Sequence, residues 1–456
     1  MQSCDTFALS KAYYSEGINY LAKNSDRPLG EAQPLAFYPG GEYRQGETVR
    51  CTHLTIPQAA HTYTVLGSRP YWIWGFEMGV NECGLAIGNE AEFSRCDKET
   101  TEGLLGMDIL RLALERAATA HEGVDVIAEL LETYGQNANA NPLFDRRYEN
   151  SYMLVDREEI WLMETAGRKW VARKVKDWGA ISNCYSIGLE YDMCSPDLEA
   201  YARERRWLHP DEPFDFAKAY TDAKAVQSNS TQRWRRLNQL IGNHEEPLNR
   251  EDVKAVLRDH FEGEIIEPRF AASRATFMSI CMHAYDWNIS QTAASMLCGW
   301  RERLGPVTWY SPSLPCCSVF IPVYWTDDVP SAMKEATGIY DEDSLWWSAE
   351  RLAMLVSADE DRFGAKVRSA LKELSAGHER EAQQAEERAY ALIAEGKRTE
   401  AMMRLSKTTE NAVQATMVLM HRLVDEISRE IAQCGGLYGA RKEFLEAYAS
   451  RVKMPL

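Results

Sequence analysis

The spacing of apolar residues changes near residue 331, and this change limits the possible folds more than any other feature of the chain. Before it, short apolar or alternating runs are separated by Gly, Pro and Asn, a pattern typical of β-strands. After it, the chain is almost free of Pro and rich in Ala, Glu, Arg and Leu. This composition predicts long helices with a break near Gly396. The sequence therefore predicts a strand-rich domain over residues 4–330 and a helical region over 331–456.

Within the strand-rich domain, the runs that indicate strands are grouped apart from those that indicate helices. "SYMLVDREEIWLMETAG" and "KWVARKV" are typical of strands, whereas "GLLGMDILRLALERAAT" and "GVDVIAELLETYG" have the three- and four-residue spacing of amphipathic helices. This grouping favours sheets faced by helices over alternating β-α-β units. The predicted class is α+β.

Charge and cysteine content exclude several classes of function. The net charge is −17, which disfavours binding to nucleic acid or to an anionic membrane surface. No apolar stretch approaches the ~20 residues of a membrane-spanning helix, and the first residues lack the pattern of a signal peptide. The eleven cysteines, an odd number, indicate reduced thiols. We therefore expect a cytoplasmic protein with no nucleic-acid or membrane partner.

Motifs for phosphate, dinucleotide or zinc-protease chemistry are absent from the sequence. It contains no G-x-x-x-x-G-K-[ST], G-x-G-x-x-G, G-x-S-x-G, H-E-x-x-H or C-x-x-C motif. The segments "CMH" (Cys281, His283) and "PCC" (Cys316, Cys317) contain metal-binding residue types, but no ligand set of zinc spacing accompanies them. We therefore predict no metal and no cofactor. An internal Cys–His hydrolase site remains an alternative.

Cys4 is the cysteine that packing alone does not explain, because it stands near the amino terminus and begins the strand-like run "CDTFAL". A free thiol has a pKa of ~8.5, whereas an α-amine has a pKa of ~7.7–8.0 and can accept the thiol proton. If residues 1–3 form a short propeptide, its removal makes Cys4 both nucleophile and base. Attack of the Cys4 thiol on the Ser3 carbonyl is the expected route of removal. The alternative is a small buried residue in the first strand.

Six blocks occur in order between residues 4 and 325, namely "CDTFAL", "YLAKNSDRPLGEAQ", "SRPYWIWGFEMGVNECGLAIGNEAEF", "NSYMLVDREEIWLMETAGRKWVARKV", "AISNCYSIG" and "PCCSVFIPVYW". Together they resemble the secernin and dipeptidase-A family of N-terminal-nucleophile cysteine hydrolases, which is more distantly similar to bile-salt hydrolases and penicillin V acylases. The resemblance implies a four-layer αββα sandwich of two antiparallel sheets between helix layers, followed here by the helical region. It also implies hydrolysis of small amides, often dipeptides, through a thioester and without a metal.

The resemblance assigns roles to individual residues. Cys4 matches the nucleophile, and Asp26 in "KNSDR" matches an acid that holds the α-amine of that nucleophile. Lys23 stands where relatives usually have Arg, so the charge is kept and the planar guanidinium is lost. Asn183 in "AISNCYSIG" matches an asparagine that fixes substrate and nucleophile. Arg274 in "AASRATF" resembles an arginine near the nucleophile of the acylases.

The donor to the oxyanion is the role with two candidate positions. One positioned donor is worth about 2.7–4 kcal/mol in the transition state. Asn89 in "AIGNEAEF" is the natural candidate, but ungapped alignment to the acylases places their asparagine at Ala91. The two positions share a strand face, so Asn89 can serve after a two-residue slip. Glu77 and Asn81 fit the same block or simply build a hairpin turn.

The substrate and partners are predicted only by class. An alternating strand over "RPYWIWGF" brings together aromatic side chains that line an apolar pocket or belong to the core: Tyr71, Trp72, Trp74 and Phe76. The predicted function is a self-processed N-terminal-cysteine amidohydrolase acting on a small peptide or amide. The alternative is a non-hydrolytic interaction protein that docks through its C-terminal helices. The same helices offer a surface for a homo-oligomer.

Overall fold

The structure is a computed structural model, and it describes the chain with a few gaps. The described residues are 4–222, 224, 229–264, 279–284, 286–287, 289–326, 328–439 and 441–456. They form antiparallel sheets and helices, which confirms the mixed α and β content predicted from the sequence. The chain divides into two compact units. The N-terminal unit contains residues 4–23 and 37–253, and the C-terminal unit contains 24–36 and 254–456.

The elements are numbered in chain order. The strands are β1 (Cys4–Leu9), β2 (Tyr20–Arg27), β3 (Leu35–Tyr38), β4 (Gly41–Glu42), β5 (Thr48–Arg50), β6 (Thr55–Pro57), β7 (His61–Thr62), β8 (Val65–Ser68), β9 (Met78–Asn81), β10 (Ala86–Glu92), β11 (Glu149–Val155), β12 (Ile160–Ala166), β13 (Lys169–Val175), β14 (Trp178–Ile181), β15 (Met193–Cys194), β16 (Gln291–Arg301), β17 (Gly305–Pro312) and β18 (Ile321–Tyr324). The helices are α1 (Gly106–Arg116), α2 (Ala120–Tyr134), α3 (Leu198–Glu204), α4 (Phe216–Tyr220), α5 (Ser230–Gly242), α6 (Arg250–Leu257), α7 (Ser331–Lys334), α8 (Leu345–Ala358), α9 (Glu360–Ala394), α10 (Arg398–Gln433) and α11 (Lys442–Val452), with a 3-10 turn at Pro315–Cys317.

The N-terminal unit is built on a large sheet with the order β15-β13-β12-β11-β10-β9-β8-β3. Pairing is antiparallel from β15 to β8. Helices α1 and α2 pack against this sheet, and β1 packs against its strands β10 and β11. Strand β1 pairs antiparallel with β14, and helix α5 packs on both. Because β10, β11 and β12 are covered on both faces, they are buried along nearly their whole length.

The aromatic segment after β8 is not the strand that the sequence predicts. Residues 69–77 form a loop between β8 and β9, because Pro70 and Gly75 interrupt regular pairing. A Cβ on Gly75 would lie 2.2 Å from the carbonyl carbon of Met107, so the loop can approach α1 only with glycine there. Trp72 packs against a core cluster, and the Trp74 ring stacks 3.9 Å from the Arg111 guanidinium. These rings therefore belong to the packing beside α1.

The C-terminal unit has the strand order β2-β16-β17-β18, to which β2 contributes its residues from Asn24 onward. Strands β16 and β17 form a hairpin in which Arg301 is paired with Gly305. Arg303 and Gly305 in this turn have positive φ values of 68° and 88°. Helix α8 packs on β17, and α9 and α10 pack on β18. These helices therefore cover the strands of this unit. The domain boundary at residue 330 expected from the sequence stays a prediction.

The two longest helices confirm the prediction for the end of the chain. Helices α9 and α10 contain 35 and 36 residues and pack against each other. They are separated near Gly396, whose φ of +78° lies in the left-handed region that favours glycine. Among the described residues, no helix has both the length and the apolar composition of a membrane span.

Candidate active site

The first residue of β1 is held in place by the end of β14. The register pairs Thr6 with Ile181, and continuing it by two residues puts Asn183 opposite Cys4. The backbone nitrogen of Cys4 donates a hydrogen bond of 2.9 Å to Oδ1 of Asn183. Both residues are buried, with 6% and 1% of their surface exposed. The structure therefore brings together two of the residues that the sequence predicts, and the contact is made at the nitrogen atom of Cys4.

The amide group of Asn183 is fixed on both sides. Its Oδ1 also accepts a 2.7 Å hydrogen bond from Nη2 of Arg233, and its Nδ2 donates at 2.8 Å to the carbonyl of Ala91. The two contacts define which side of the amide faces Cys4, because only an oxygen can accept from both nitrogen donors. Asn183 thus presents a fixed acceptor to the Cys4 nitrogen.

Arg233 is a functional candidate that sequence reasoning missed. It lies on α5 and forms a completely buried ion pair with Asp5, with 2.9 Å between Nε and Oδ2. Burial raises the pKa of the Asp5 carboxyl, and the charge of Arg233 opposes that rise. A signal was present in the sequence, because Arg233 shares a helix face with Leu237 and Ile241, four and eight residues later. An arginine on an apolar face needs a buried partner.

The side chain of Cys4 lies on the side of β1 that faces the large sheet. Thr6 donates its hydroxyl to the Glu90 carboxylate on β10, whereas Asp5 points to α5. Successive side chains of a strand alternate between faces, so Cys4 and Thr6 share one face and Asp5 occupies the other. The thiol therefore points toward the large sheet and away from α5.

Lys23 forms a buried pair with the same carboxylate. Its Nζ lies 3.5 Å from Oε1 of Glu90 and 2.5 Å from the carbonyl of Asn89, and both charged side chains are fully buried. A Cβ at Gly88 would lie 2.9 Å from Cδ of Lys23, so glycine at that position leaves room for the lysine stem. The positive charge expected at position 23 is therefore paired with the Glu90 carboxylate on β10.

Several carboxylates share this face of the large sheet. Glu90 is paired with Ser151 and Ser151 with Glu164, so the three side chains lie side by side on β10, β11 and β12. Glu92, two residues further on β10, accepts a 3.0 Å hydrogen bond from the Ser151 hydroxyl. Burial and the neighbouring Glu164 raise the pKa of Glu92 well above its usual range. This face is therefore rich in buried carboxyl groups.

Glu164 also anchors the chain that follows β14. Its carboxylate accepts hydrogen bonds from the backbone nitrogen and hydroxyl of Ser186, at 2.7 and 2.8 Å, and from the backbone nitrogen of Ile187 at 3.0 Å. Burial raises the pKa of Glu164 to about 7, although these bonds oppose the rise. The segment immediately after Asn183 is thus tied to β12 through one titratable group.

Asn89 lies on the face of β10 that is turned toward α1, and its role as oxyanion donor stays a prediction. It is paired with Tyr152, whose hydroxyl contacts the carbonyl of Gly106 at the start of α1. The Asn89 amide lies 3.0 Å from the Asn150 amide on the same side. Glu90, its neighbour on β10, points instead toward β1. Because neighbouring residues alternate, Asn89 faces α1 and points away from Cys4, and a two-residue slip to Ala91 does not change the face.

Asn81 lies in the hairpin turn between β9 and β10, which is one of the two positions predicted for it. Its Oδ1 accepts from the backbone nitrogens of Cys83 and Leu85, both at 3.0 Å, and its Nδ2 donates to carbonyls at the end of α1. It therefore closes the turn between β9 and β10. The neighbouring Glu77 is buried beside β8, where its backbone nitrogen donates to the Ser68 carbonyl.

Asp26 and Arg274 are the remaining residues predicted for the site. Asp26 is buried in the C-terminal unit's part of β2 and accepts a 2.7 Å hydrogen bond from the Thr292 hydroxyl. Its role at the α-amine stays a prediction. Arg274 and the propeptide, residues 1–3, lie outside the described residues.

Of two cavities in the N-terminal unit, the smaller one adjoins the carboxyl-rich face of the large sheet and the larger one contains no predicted site residue. A cavity of about 120 Å³ lies at the end of the large sheet and includes Phe93, Tyr148 and Glu149 in its lining. Glu149 is paired with Glu92, so this cavity adjoins the carboxyl-rich face. A larger cavity of about 890 Å³, with His61 and Asp156 in its wall, contains none of the predicted site residues. The smaller cavity is therefore the better candidate for holding part of a substrate.

The C-terminal unit contains a second group of reactive side chains. Nitrogen or sulfur atoms of His260, Cys281, His283 and Cys316 all lie within 4.8 Å of one another. The sequence-based expectation of no metal site rested on spacing, and these residues are separated by 20, 1 and 32 intervening positions. The fold brings them together where no short motif indicates it.

Comparison with known proteins identifies a family over most of the chain. Residues 55–373 match the model for Peptidase family C69. Cys4, Lys23 and Asp26 precede the matched stretch. A probable dipeptidase B of Lactococcus lactis subsp. lactis is 24% identical over 410 residues, covering 79% of this chain and 82% of that protein. A dipeptidase of Bifidobacterium longum is 24% identical over 427 residues, covering 77% of each protein.

Solved structures show weaker similarity. A mutant conjugated bile acid hydrolase from Clostridium perfringens has a TM-score of 0.39 and 13% identity, covering 68% of this chain and 89% of its own. An N-acylethanolamine-hydrolyzing acid amidase ortholog from Caenorhabditis elegans has a TM-score of 0.32 and 9% identity, covering 64% and 92%.

Proposed function

Because the chain belongs to peptidase family C69, as its resemblance to the dipeptidase-A family indicated, we propose that it hydrolyses dipeptides or small acyl-amides with Cys4 as nucleophile. The dipeptidase names of two relatives support this substrate class. The observation that carries the proposal is the 2.9 Å hydrogen bond between the Cys4 nitrogen and Asn183. It fixes the atom that becomes the α-amine when the residues before Cys4 are removed.

Self-processing supplies that amine. The Cys4 thiol attacks the Ser3 carbonyl, and the acyl group moves from the Cys4 nitrogen to its sulfur. Water then hydrolyses the thioester, so the preceding residues leave with a new carboxylate and Cys4 keeps its thiol and a free amine. The buried acceptor on Asn183 supports this step, because it holds the nitrogen while the acyl group leaves it.

Catalysis then uses both groups of Cys4. The neutral amine takes the thiol proton, and the thiolate attacks the substrate carbonyl to give a tetrahedral oxyanion. As this intermediate collapses, the carbon–nitrogen bond breaks and the leaving amine takes the proton from the Cys4 ammonium. Water, activated by the same amine, hydrolyses the thioester and regenerates the thiol. No step of this sequence requires a metal or a cofactor.

The neighbouring residues have supporting roles in the proposal. Arg233 orients the Asn183 amide, and its pairing with Asp5 keeps the guanidinium fixed in a buried position. Glu92 and Glu164 lie on the large sheet, toward which the Cys4 thiol points. Because two relatives carry dipeptidase names, we favour dipeptides over neutral acyl-amides.

Turnover of a panel of dipeptides by cysteine variants tests the proposal. Cys4→Ala should lower kcat by more than about 10³-fold, because it removes the nucleophile. Cys194→Ala, at a half-buried thiol on β15, is the matched control and should retain wild-type kcat. Full activity of Cys4→Ala rules out the proposal. Absence of turnover in a folded wild-type protein on dipeptides and small amides alike favours the non-hydrolytic interaction protein instead.

A further inference from the structure

The metal-binding side chains of the C-terminal unit converge on a single point. Nε2 of His283 lies 3.2 Å from Nε2 of His260, 3.7 Å from Sγ of Cys281 and 3.4 Å from Sγ of Cys316. His260, Cys281 and Cys316 are buried, and His283 is partly buried. Two imidazoles and two thiols therefore meet in the interior of one unit.

These separations match the edges of a tetrahedral metal site. With metal–nitrogen bonds of about 2.0–2.1 Å and metal–sulfur bonds of about 2.3 Å, tetrahedral angles separate two nitrogens by about 3.3 Å. The same geometry separates a nitrogen from a sulfur by about 3.6 Å. The nitrogen pair at 3.2 Å and the nitrogen–sulfur pairs at 3.4 and 3.7 Å agree with these values.

Hydrogen bonding explains the arrangement less well. A ring nitrogen of histidine has either one lone pair or one hydrogen, so it forms one good hydrogen bond. Nε2 of His283 has three polar atoms within 3.7 Å, and they come from three different residues. At most one of these contacts can be an ordinary hydrogen bond. A cation at the common centre accounts for all of them together.

The surroundings of His260 add an independent feature of metal sites. Its other ring nitrogen, Nδ1, lies 3.0 Å from a carboxylate oxygen of Glu262. The second oxygen of the same carboxylate accepts a 2.7 Å hydrogen bond from the backbone nitrogen of His260. A histidine ligand commonly donates its outer N–H to a carboxylate, which fixes the ring and strengthens the ligand. Nε2 is therefore oriented toward the other three residues.

We propose that His260, Cys281, His283 and Cys316 bind one zinc ion in a closed tetrahedral site. Two cysteines and two histidines are a common ligand set of structural zinc. The thiols bind as thiolates and release their two protons to solvent, so the charge of the divalent ion is balanced. All four positions are filled by protein, which leaves none for substrate. The site is structural, and it does not depend on the hydrolytic role of Cys4.

The ion links three separate parts of the unit. His260 follows α6, Cys281 and His283 precede β16, and Cys316 lies in the 3-10 turn before β18. Joining segments that are far apart in sequence adds to folding free energy, because such a site does not exist in the unfolded chain. We expect the zinc ion to fix the loops that border β16 and β18.

Zinc content tests the site directly. The full chain is purified under reducing conditions without metal-affinity steps. Elemental mass spectrometry should then find about one zinc ion per chain. Cys281→Ser should bind zinc at least about tenfold more weakly. Cys298→Ser is the matched control, because Cys298 is an equally buried thiol of the same unit outside the cluster, and it should keep the wild-type content. Equal zinc in wild type and Cys281→Ser overturns the proposal.

A second measurement uses the wild-type chain, so it does not depend on how well a variant folds. After removal of metal, Co²⁺ alone should give the visible absorption of a tetrahedral thiolate site, with saturation at about one ion per chain. Addition of Zn²⁺ should displace the cobalt and raise Tm by at least about 5 °C. If neither Co²⁺ nor Zn²⁺ binds to the reduced, folded chain, no metal site is present.

Discussion

The buried contact between Arg233 and Asp5 shows how one residue links the helix α5 to Cys4, the proposed nucleophile. Arg233 donates a hydrogen bond to the same Asn183 oxygen that accepts one from the Cys4 nitrogen. Its ion-pair partner Asp5 is the neighbour of Cys4 on β1. A guanidinium can serve both partners because its N–H groups are held in a rigid plane. The orientation of the site therefore depends on a residue that does not itself react.

Removing the Arg233 guanidinium should lower the stability of the folded protein. Arg233→Met leaves the Asp5 carboxyl buried without its partner, so we expect the free energy of unfolding to fall by about 3–5 kcal/mol. Arg235→Met, at an exposed position of the same helix, should change it by less than about 0.5 kcal/mol. Denaturant unfolding of both variants gives the comparison. Equal stability of the two variants shows that the Arg233 contacts contribute little.

Individual residues differ in how well the sequence predicts them. The resemblance predicts Cys4 and Asn183 as site residues, and their contact agrees with the register of β1 and β14. The strand face of Asn89 is hard to predict, because the alternation of faces is sensitive to a shift of one residue and similarity to relatives does not fix that register. Arg233 had a usable signal on its own helix, but its partners lie 228 and 50 residues away.

At the level of strands and loops, Glu164 gives the segment after Asn183 a pH dependence. Its pKa is raised to about 7 by burial, whereas an ordinary glutamate has a pKa of about 4.5. Between these values the folded chain keeps a proton that the unfolded chain has lost. Stability from this group is therefore greatest below pH ~4.5 and falls as pH rises toward 7, by about 2–4 kcal/mol.

A glutamine at this position should remove that part of the pH dependence. Glu164→Gln does not titrate, and it should be less stable overall because one of the two acceptor oxygens is lost. Glu129→Gln, at an exposed position on α2, should keep the wild-type slope. Unfolding free energies measured between pH 4.5 and 7 test this prediction. A slope in Glu164→Gln equal to that of the wild type shows that another group causes it.

Regular elements were predicted well where the apolar spacing is long and uninterrupted. Strands β11 to β13, helices α1 and α2 and the long pair α9 and α10 overlap the segments that the sequence indicates. The aromatic segment after β8 was assigned to a strand because its residues alternate. Its loop conformation depends on the close approach of Gly75 to Met107, which is a tertiary contact that local spacing does not contain.

For the chain as a whole, composition predicts the helical region, and the domain boundary at residue 330 stays a prediction. Composition does not indicate that residues 24–36 join residues 254–456 in one compact unit, because that grouping is produced by tertiary contacts. The four zinc ligands were missed for a similar reason, since their grouping is produced by the folding of the C-terminal unit. The homo-oligomer through the C-terminal helices and the four-layer arrangement of the whole chain stay predictions.

The central claim is that the α-amine of Cys4 takes part in catalysis, and the mass of the intact, active protein tests it most directly. The account predicts that active wild-type protein has lost Met1, Gln2 and Ser3 and begins at Cys4, because only then is the nitrogen beside Asn183 a base. Cys4→Ala should keep the preceding residues and should not turn over a dipeptide. Fully active wild-type protein that retains the residues before Cys4 shows instead that the base is another group.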